Sequence, residues 1–418
     1  MGIGAIHVQE ISQLLNRSWQ FFMVAPNRLF LSVILASATL TIMAGSVIAP
    51  TLNLMRDGLG VVPSNVGLII TTHGLFMAVF SPFMGIIIDK KGVRRTYITA
   101  LIFYGIAGGA GLLINSFWIL LASRACLGVA LAGVFVGLNV LILNTYDKNE
   151  RDKVMGWRGS AQSCGGIVWP LLGGALGSVS WRLPFAVYMV AIPIGLLAIN
   201  AVPEPAVKPQ DGSSFRYDLS VAQICRSRPS LFIIYGLIFC GSLLLYSIVI
   251  FLPQRLETFG ITSSFHIGLY IAAMTASGAV TAFVYGKIRA RLSYERIVAI
   301  VAGLWILAFT TLSLAPESRI LAVGAALFGV SQGLLMPTVM GWIGALVPPS
   351  FRGRFSSYLG MFAFTGQFLS PVAFAFIFIK LGFRGVFLSG AGTGAVWLIL
   401  LLTIAVKTAD KRDQRTEG

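Results

Sequence analysis

The chain has 418 residues, of which 56% are hydrophobic and 11% are charged, and its formal net charge is +16. Soluble domains contain about 25% charged residues, so the composition excludes a soluble enzyme, a disordered chain and a secreted disulfide scaffold. A membrane protein that crosses the bilayer many times remains. The 46 glycines fit this class, because small residues let helices pack closely in lipid.

The first residues precede the apolar part of the chain. Residues 6–21 have the pattern of an amphipathic helix at the membrane interface, and a frayed tail fits them equally well. Residues 1–26 contain no compact apolar core with a small-residue cleavage site, so we expect no cleaved signal peptide.

Twelve apolar runs follow, each about as long as the roughly 20 residues that a membrane helix needs. They are continuous rather than alternating, which favours helices over the short strands of an outer-membrane barrel. The runs cover residues 29–52, 66–88, 95–115, 117–143, 159–179, 183–202, 231–253, 265–285, 296–314, 319–346, 355–380 and 385–406.

The longest polar stretch divides the runs into six and six. It covers residues 203–228 and contains three prolines and the run QDGSS, which is typical of a linker. The predicted organisation is an N-terminal segment at 1–28, a six-helix bundle at 29–202, the linker at 203–228, a second six-helix bundle at 229–406 and a tail at 407–418.

Lysine and arginine show which loops face the cytoplasm, because cytoplasmic loops of membrane proteins carry the excess of these residues. If the N-terminus is cytoplasmic, 24 of the 31 Lys and Arg lie on that side, six on the other, and Arg124 falls inside a run. Both termini are therefore expected in the cytoplasm. The basic residues are a topology signal, so we expect no nucleic-acid partner.

The two halves repeat each other with a constant offset. A shift of 201 residues places Gly85 on Gly286, Arg151 on Arg352 and Pro170 on Pro371, among other matches. A constant offset near half the length indicates a duplicated six-helix unit, which is typical of secondary transporters.

Cysteines and nucleotide motifs give no sign of an enzyme. Cys126, Cys164, Cys225 and Cys240 have no metal-site spacing, and no pair is a necessary disulfide. The chain has no GxxxxGK[ST] loop for a nucleotide. We expect neither a cofactor nor a metal.

The loop after the second run carries the most specific motif. It reads Gly85-Ile-Ile-Ile-Asp89-Lys90-Lys91-Gly92-Val93-Arg94-Arg95 and resembles the loop motif of the major facilitator superfamily. The resemblance implies an all-α polytopic membrane protein with 12 transmembrane helices in two pseudo-symmetric six-helix bundles around a central cavity. Asp89 can pair with a cytoplasmic arginine and close the inner face, while Gly92 permits a sharp turn. An ordinary positively charged loop is the alternative, and the second copy at Gly286 lacks the acid.

The fourth run carries an arginine inside the membrane. Arg124 followed by Gly128 resembles the second motif of the same superfamily. An arginine at this depth costs about 3 kcal/mol on insertion scales and is tolerated when it faces the interior or reaches the headgroups. We expect an interior arginine that serves substrate binding or proton coupling.

The fifth run is rich in glycine and contains a proline. Gly165, Pro170, Gly173 and Gly174 match the motif of the drug:proton antiporter branch, and Trp169 replaces the glycine before the proline. Pro170 is expected to kink the helix, and the glycines to let another helix approach and seal one side. A generic glycine-rich span is the alternative.

None of the fifteen acids lies in the middle of a run, although proton-coupled transporters usually hold a protonatable residue in the membrane. His73 is the titratable candidate there besides Arg124. A buried neutral histidine is an equally good interpretation, and Asp89 is the alternative coupling residue. The absence of acids also disfavours a polycationic substrate.

The resemblance further implies that the first, fourth, seventh and tenth spans line the cavity. Candidate lining residues are Ser46, Asn139, Tyr246, Gln332, Met336 and Gln367. Aromatic and methionine side chains suit an apolar or amphipathic ligand.

The expected function is a proton-driven exporter of small amphipathic compounds in the inner membrane, acting as a monomer in the bilayer. A proton symporter or facilitator that imports an organic anion is the alternative, because Arg124 has no acid beside it. A transporter-like sensor or lipid-handling protein is a third reading, which the short linker and tails disfavour.

Overall fold

The computed structural model of the protein describes residues 28–146, 148–203, 223–224, 226–348 and 351–416. The predicted interfacial helix over 6–21, most of the linker over 203–228 and Cys225 lie outside the described residues. The predicted domain bounds therefore stay predictions.

The described residues form helices, with no β-strand among them. The α-helices are α1 (Arg28–Ser46), α2 (Leu52–Leu59), α3 (Leu68–Lys91), α4 (Val93–Gly109), α5 (Phe117–Thr145), α6 (Lys148–Gly177), α7 (Ala191–Ala201), α8 (Ser230–Glu257), α9 (Ser264–Arg289), α10 (Tyr294–Leu314), α11 (Ser318–Leu346) and α12 (Arg352–Thr416). Short 3-10 helices at Ala49–Thr51, Ala110–Leu112 and Leu183–Val190 join α1 to α2, extend α4 and lead into α7.

In the described part of the chain, nine helices are long and apolar enough to cross a membrane. The last of them, Tyr358–Thr403, has 46 residues, about twice the length that a bilayer requires. Gly382 breaks it with a φ of 61°, a left-handed conformation that favours glycine. The eleventh and twelfth predicted spans are thus the two arms of α12.

The third and fifth predicted spans correspond to α4 and α6. The helix α4 has 17 residues, and α6 begins with a charged stretch, which explains why neither belongs to those nine helices. Each of the twelve predicted apolar runs lies mainly on helix, so the all-helical membrane fold predicted from the sequence is confirmed.

The helices pack as two bundles. In the first bundle, α3 and α4 pack against α5, and α4 also packs against α7; in the second, α9 and α10 pack against α11, and α8 and α10 against α12. Extensive contacts between the bundles come from α3 with α12 and from α6 with α9. The 201-residue offset relates these two helix pairs, as a duplicated unit with a pseudo-twofold axis requires.

Candidate functional site

The two bundles meet near one end of the molecule, which we call the closed end and define by the C-termini of α2, α6 and α8 and the N-termini of α3 and α9. Arg56 on α2 donates two hydrogen bonds of 2.9 Å to the Glu257 carboxylate on α8. Asn53 donates a bond of 2.9 Å to the carbonyl of Pro253. Side-chain hydrogen bonds therefore join the two bundles at this end.

The Arg56–Glu257 ion pair lies on the pseudo-symmetry of the molecule. The two residues are separated by 201 positions, which is the offset of the sequence repeat. Equivalent positions of the two halves meet only near the axis that relates them, so the pair lies between the bundles, at their shared centre. The arginine side chain has a relative exposure of 17% and the glutamate 31%, so water reaches the pair in part.

The glycines of the fifth predicted span are packed against backbone at the closed end. A Cβ on Gly174 would lie 2.6 Å from the carbonyl oxygen of Ser264, and one on Gly268 would lie 2.7 Å from the carbonyl oxygen of Pro170. Gly173 faces the carbonyl of Val47 on the first predicted span in the same way. Real Cβ atoms do not approach so closely, so these three positions require glycine if α6 is to touch both neighbours.

Trp169, which stands where the motif has glycine, occupies the face of α6 toward α1. Its indole Nε1 donates a hydrogen bond of 3.1 Å to the carbonyl of Thr39, and the ring lies against Gly165. The tryptophan therefore binds α6 to α1 within the first bundle. The seal between bundles is made on other faces, by Pro170 and Gly174.

A polar pair joins the bundles where α3 meets α12. Gln367 Nε2 lies 3.1 Å from His73 Nε2, and both side chains are 2% exposed. The amide nitrogen can only donate, so in this arrangement His73 Nε2 is the acceptor and carries no proton. Gly74 allows the contact, since a Cβ there would lie 2.9 Å from the Gln367 side chain.

Two glycines on neighbouring helices leave room for His73. Gly128 on α5 faces the backbone carbonyl of His73, where a Cβ would overlap it. A Cβ on Gly45 of α1 would lie 3.4 Å from His73 Cε1 and 3.5 Å from Tyr246 Oη. The structure thus brings four predicted site residues from both bundles into one group, of which Tyr246 is partly exposed and the others are buried: His73, Gly128, Tyr246 and Gln367.

The opposite end of the molecule lies where α3 and α9 end and α6 begins. We call it the open end. A Cβ added at any of five glycines there would meet no heavy atom within 4 Å: Gly85, Gly156, Gly159, Gly286 and Gly344. In the described part of the chain, the hydrogen bonds that join the bundles lie toward the closed end instead.

The predicted loop motif lies at the open end. Lys90 and Asp89 are exposed in the last turn of α3, and Gly92 turns the chain into α4 with a φ of 87°. Arg94 donates a hydrogen bond to the carbonyl of Ile199 on α7, and Arg95 is exposed. Among the described residues, Asp89 has no ion-pair partner within 4 Å.

Arg124 is fully buried inside the first bundle, at 0% exposure. Its guanidinium donates to the carbonyls of Ala107 and Gly108, at 3.3 and 2.8 Å, where α4 ends. It also lies 4.9 Å from the Phe185 ring centroid and 5.0 Å from that of Tyr188. Helix C-termini and aromatic faces both attract cations. These contacts hold α4, α5 and the segment before α7 together within the first bundle.

A second buried arginine lies closer to that boundary. Arg158 on α6 is 9% exposed and donates a hydrogen bond to Asn139 Oδ1 on α5. Its guanidinium carbon lies 5.3 Å from the centroid of the Phe135 ring. The Phe135 and Phe364 rings, one from each bundle, are nearly perpendicular, with their centroids 6.4 Å apart. One turn further along α6, Gln162 donates to Thr41 Oγ1. A polar strip thus follows α6 from the open end inward.

The remaining predicted cavity residues are spread over both bundles. Gln332 donates a bond of 2.9 Å to the carbonyl of Gly241, linking α11 to α8. Met336, one turn away, is 46% exposed, and Ser46 bonds the carbonyl of Ile42 in its own helix. Of the six, Tyr246 and Gln367 join the group around His73, and Asn139 joins Arg158.

Sequence reasoning missed Arg158 and the Arg56–Glu257 pair as site residues. The predicted fifth run begins at residue 159 and so leaves Arg158 among the basic residues of the cytoplasmic side, whereas α6 begins at Lys148. The residues from 149 to 158 contain no proline, a signal that the helix could extend further. Arg56 and Glu257 lie on loops by hydropathy, and their pairing shows only in their 201-residue spacing.

Comparison with known proteins gives a consistent picture. The family model described as Major Facilitator Superfamily matches residues 34–316 and 256–418. The chain is 26% identical over 355 residues to the Multidrug resistance protein MdtG of Dickeya zeae (strain Ech586), covering 82% of this chain and 86% of that protein.

Solved structures share the fold at low sequence identity. A bacterial homologue of the human lysosomal transporter Spinster, in an inward-facing and unoccupied conformation, superposes with a TM-score of 0.73 at 18% identity, covering 89% of this chain and 94% of that one. A D-xylose-proton symporter superposes with a TM-score of 0.75 at 12% identity, covering 90% and 97%.

Proposed function

The chain belongs to the Major Facilitator Superfamily, and from that premise we propose that it is a proton-driven exporter of small amphipathic compounds. It is a multi-pass membrane transporter rather than an enzyme. In the proposed cycle the open end faces the cytoplasm and the closed end faces the outside of the inner membrane. The two bundles rock about the site between them, so that each end opens in turn.

The charge distribution supports this orientation. Lys90, Lys91, Arg94 and Arg95 lie at the open end, within the loops that carry most of the basic residues. Cytoplasmic loops carry this excess. Both termini are then cytoplasmic, and compounds from the cell interior reach the boundary between the bundles directly.

The glycine and proline contacts of α6 are the observation that carries the export proposal. Gly174 and Pro170 touch the backbone of α9 across the boundary, on the side opposite the open end. Such a seal lets the site fill from the cytoplasm while the outside is shut. The likeness to a multidrug resistance protein supports the same direction of transport.

His73 is the residue we assign to proton coupling. Its bond with Gln367 requires a free lone pair on Nε2. A proton on that nitrogen removes the acceptor, so Gln367 on α12 must turn its amide oxygen toward His73 or move away whenever His73 is protonated. Proton occupancy and the packing of the two bundles are thereby linked at one buried pair. Asp89 at the open end is the alternative coupling residue.

Import of an organic anion with protons is the second candidate. The observation that favours it is Arg158, a buried cation whose described contacts include no carboxylate. An anion that moves with a proton would follow the same path between the bundles in the opposite direction.

Proton flux in oriented proteoliposomes decides between the two. A pH-sensitive dye inside the vesicles would report the response to a panel of amphipathic cations, neutral compounds and organic anions. Proton movement opposite to the compound supports export, whereas movement in the same direction supports the symporter. No proton movement with any transported compound would overturn the proton drive.

Two variants sharpen the assignment of coupling. We expect His73→Gln to remove the pH dependence of transport, because glutamine bonds Gln367 and carries no proton. Ser277→Ala, which removes a bond from α9 to the Ala326 carbonyl on α11 inside the second bundle, serves as the control and should keep that dependence. Unchanged pH dependence in His73→Gln would shift the assignment to Asp89.

A further inference from the structure

Arg158 is a buried cation with incomplete pairing. Its described partners are Asn139 Oδ1 and, at 3.9 Å, Met155 Sδ, and Nε has no hydrogen-bond partner. A guanidinium carries five N–H donors. Burial of a charge is costly unless an opposite charge or several hydrogen bonds compensate for it. The side chain therefore has donors to spare in a place where an anion would be strongly held.

The surroundings of Arg158 are aromatic on the side toward the second bundle. The guanidinium lies over Phe135, and Phe135 meets Phe364 across the boundary. Phe364 belongs to α12 and Phe135 to α5, so this ring pair bridges the two halves on the route from the open end. A ligand bound to Arg158 would place its body against these two rings.

The other buried arginine is not suited to the same role. The guanidinium of Arg124 already donates to two carbonyls and to Ser123 Oγ, and two aromatic rings flank it. Its partners are all in the first bundle. Among the described residues, Arg158 has one neutral oxygen partner, and it lies beside Phe135, which contacts the second bundle.

We propose that Arg158 is the anion-binding residue of the transport path and that the preferred cargo is an amphipathic monoanion, with a carboxylate on an apolar or aromatic body. The carboxylate binds the guanidinium next to Asn139, and the apolar body packs on Phe135 and Phe364. A fork of N–H donors fits a carboxylate better than a point charge does. This assignment rests on the proposed transport function, since it names the substrate class of the same path, whichever direction the compound moves.

Binding of a matched pair of probes to the purified protein in nanodiscs tests the proposal. The probes are naphthylacetate and naphthylacetamide, which share the aromatic body and differ in charge. We expect Arg158→Gln to weaken naphthylacetate binding by about 10-fold or more, because a charge-assisted pair is lost. Binding of naphthylacetamide should change by less than about 2-fold.

Three further variants separate recognition from folding. Arg151→Gln removes a charge from the same helix and should leave both affinities unchanged. Arg158→Lys keeps the charge without the fork and should fall between wild type and Arg158→Gln. Asn139→Asp pairs the arginine internally and should lose the preference for the carboxylate, even where Arg158→Gln does not fold.

The outcomes distinguish this site from the transport proposal. Equal weakening of both probes in Arg158→Gln and Asn139→Asp, or no change in either, would overturn the anion site. Selective loss of naphthylacetate binding supports it. Protein that binds naphthylacetate selectively but moves no protons in vesicles would keep the anion site and overturn the proton drive.

Discussion

The closed and open ends of the molecule are both built from the two copies of the repeated unit. Close contacts between the bundles are found at the closed end, whereas the described residues of the open end form few. At the closed end, Gly174 and Gly268 bring backbone against backbone, and Arg56 pairs with Glu257. At the open end, no hydrogen bond between described residues joins the bundles, and a Cβ on Gly85 or Gly286 would meet no heavy atom within 4 Å. The difference shows that duplication supplies the helices, while the state of each end depends on a few close contacts.

The contacts at the closed end are of two kinds with different energies. Backbone packing at glycine is all-or-none, because a single added carbon has no room. The Arg56–Glu257 ion pair stabilises the closed end only weakly, because partly exposed ion pairs contribute about 0–1 kcal/mol to stability. We therefore expect substitutions of the packed glycines to reduce transport more than substitutions of the ion pair.

Arg124 lies at neither end, and its substitution should have the largest effect, a loss of stability. Arg124→Ala leaves the carbonyls of Ala107 and Gly108 without their donor and opens a cavity, at a cost of about 2–5 kcal/mol. We expect a lower unfolding temperature and little folded protein. Thermal unfolding in detergent measures this. A fully stable Arg124→Ala protein that does not transport would instead place Arg124 in substrate binding or coupling.

Gly174→Val tests the seal directly. A side chain there meets the Ser264 carbonyl, and overpacking of this kind costs about 1–3 kcal/mol. The closed end should open, shifting the conformational equilibrium by about 5- to 150-fold, and transport should nearly vanish. Transport assays and cysteine labelling from the outside report the two effects.

Gly303→Val on α10 is the matched control for Gly174→Val. A Cβ on Gly303 would meet no heavy atom within 4 Å, and its helix packs only within the second bundle among the extensive contacts. We expect wild-type transport. If Gly174→Val also transports normally, the backbone seal is wrong.

Asp89→Asn tests the conformation in which the open end has closed. If Asp89 pairs with a cytoplasmic arginine when that end closes, loss of a charge-assisted bond of about 1.5–3 kcal/mol should slow transport by roughly 10-fold or more. Expression should stay intact. As the control, Glu295→Gln removes an exposed acid from the same end and should leave the transport rate unchanged. Transport at the wild-type rate in Asp89→Asn would show that Asp89 does not act as a gate.

Reversal of the Arg56–Glu257 pair should give the smallest effect. Either Arg56→Glu or Glu257→Arg places like charges together and should slow transport a few-fold, by about 1 kcal/mol. The double variant should recover most of the rate because the pair forms again with exchanged partners, but not all of it, because Asp57 loses the arginine that lies 2.8 Å from it. Absence of recovery would show that the two residues act separately. Initial transport rates at low and high salt measure this.

Hydropathy and the repeat predicted most of the fold. The twelve apolar runs lie on helix, and the 201-residue offset corresponds to the pairing of α3 with α12 and of α9 with α6. The glycines around Pro170 were expected to let another helix approach, and Gly174 and Gly268 show which backbone they meet. Such features follow from local composition, which the sequence displays directly.

The orientation of single polar side chains could not be predicted in the same way. Arg124 was expected in the interior, but hydropathy does not tell whether an interior residue faces the bundle or the boundary. Arg158 was placed on a loop because charged residues at the start of α6 hide its helical continuation. Both outcomes depend on packing between helices, which no single apolar run encodes.

Distances between spin labels at the two ends test the alternation of access most directly. One pair, Gly85→Cys with Gly286→Cys, reports the open end, and another, Val62→Cys with Thr262→Cys, reports the closed end, in a chain whose native cysteines are replaced. On going from alkaline to acidic buffer with substrate, we predict that the first distance shortens while the second lengthens. Distances that both stay fixed, or that change in the same direction, would contradict alternating access between these two ends.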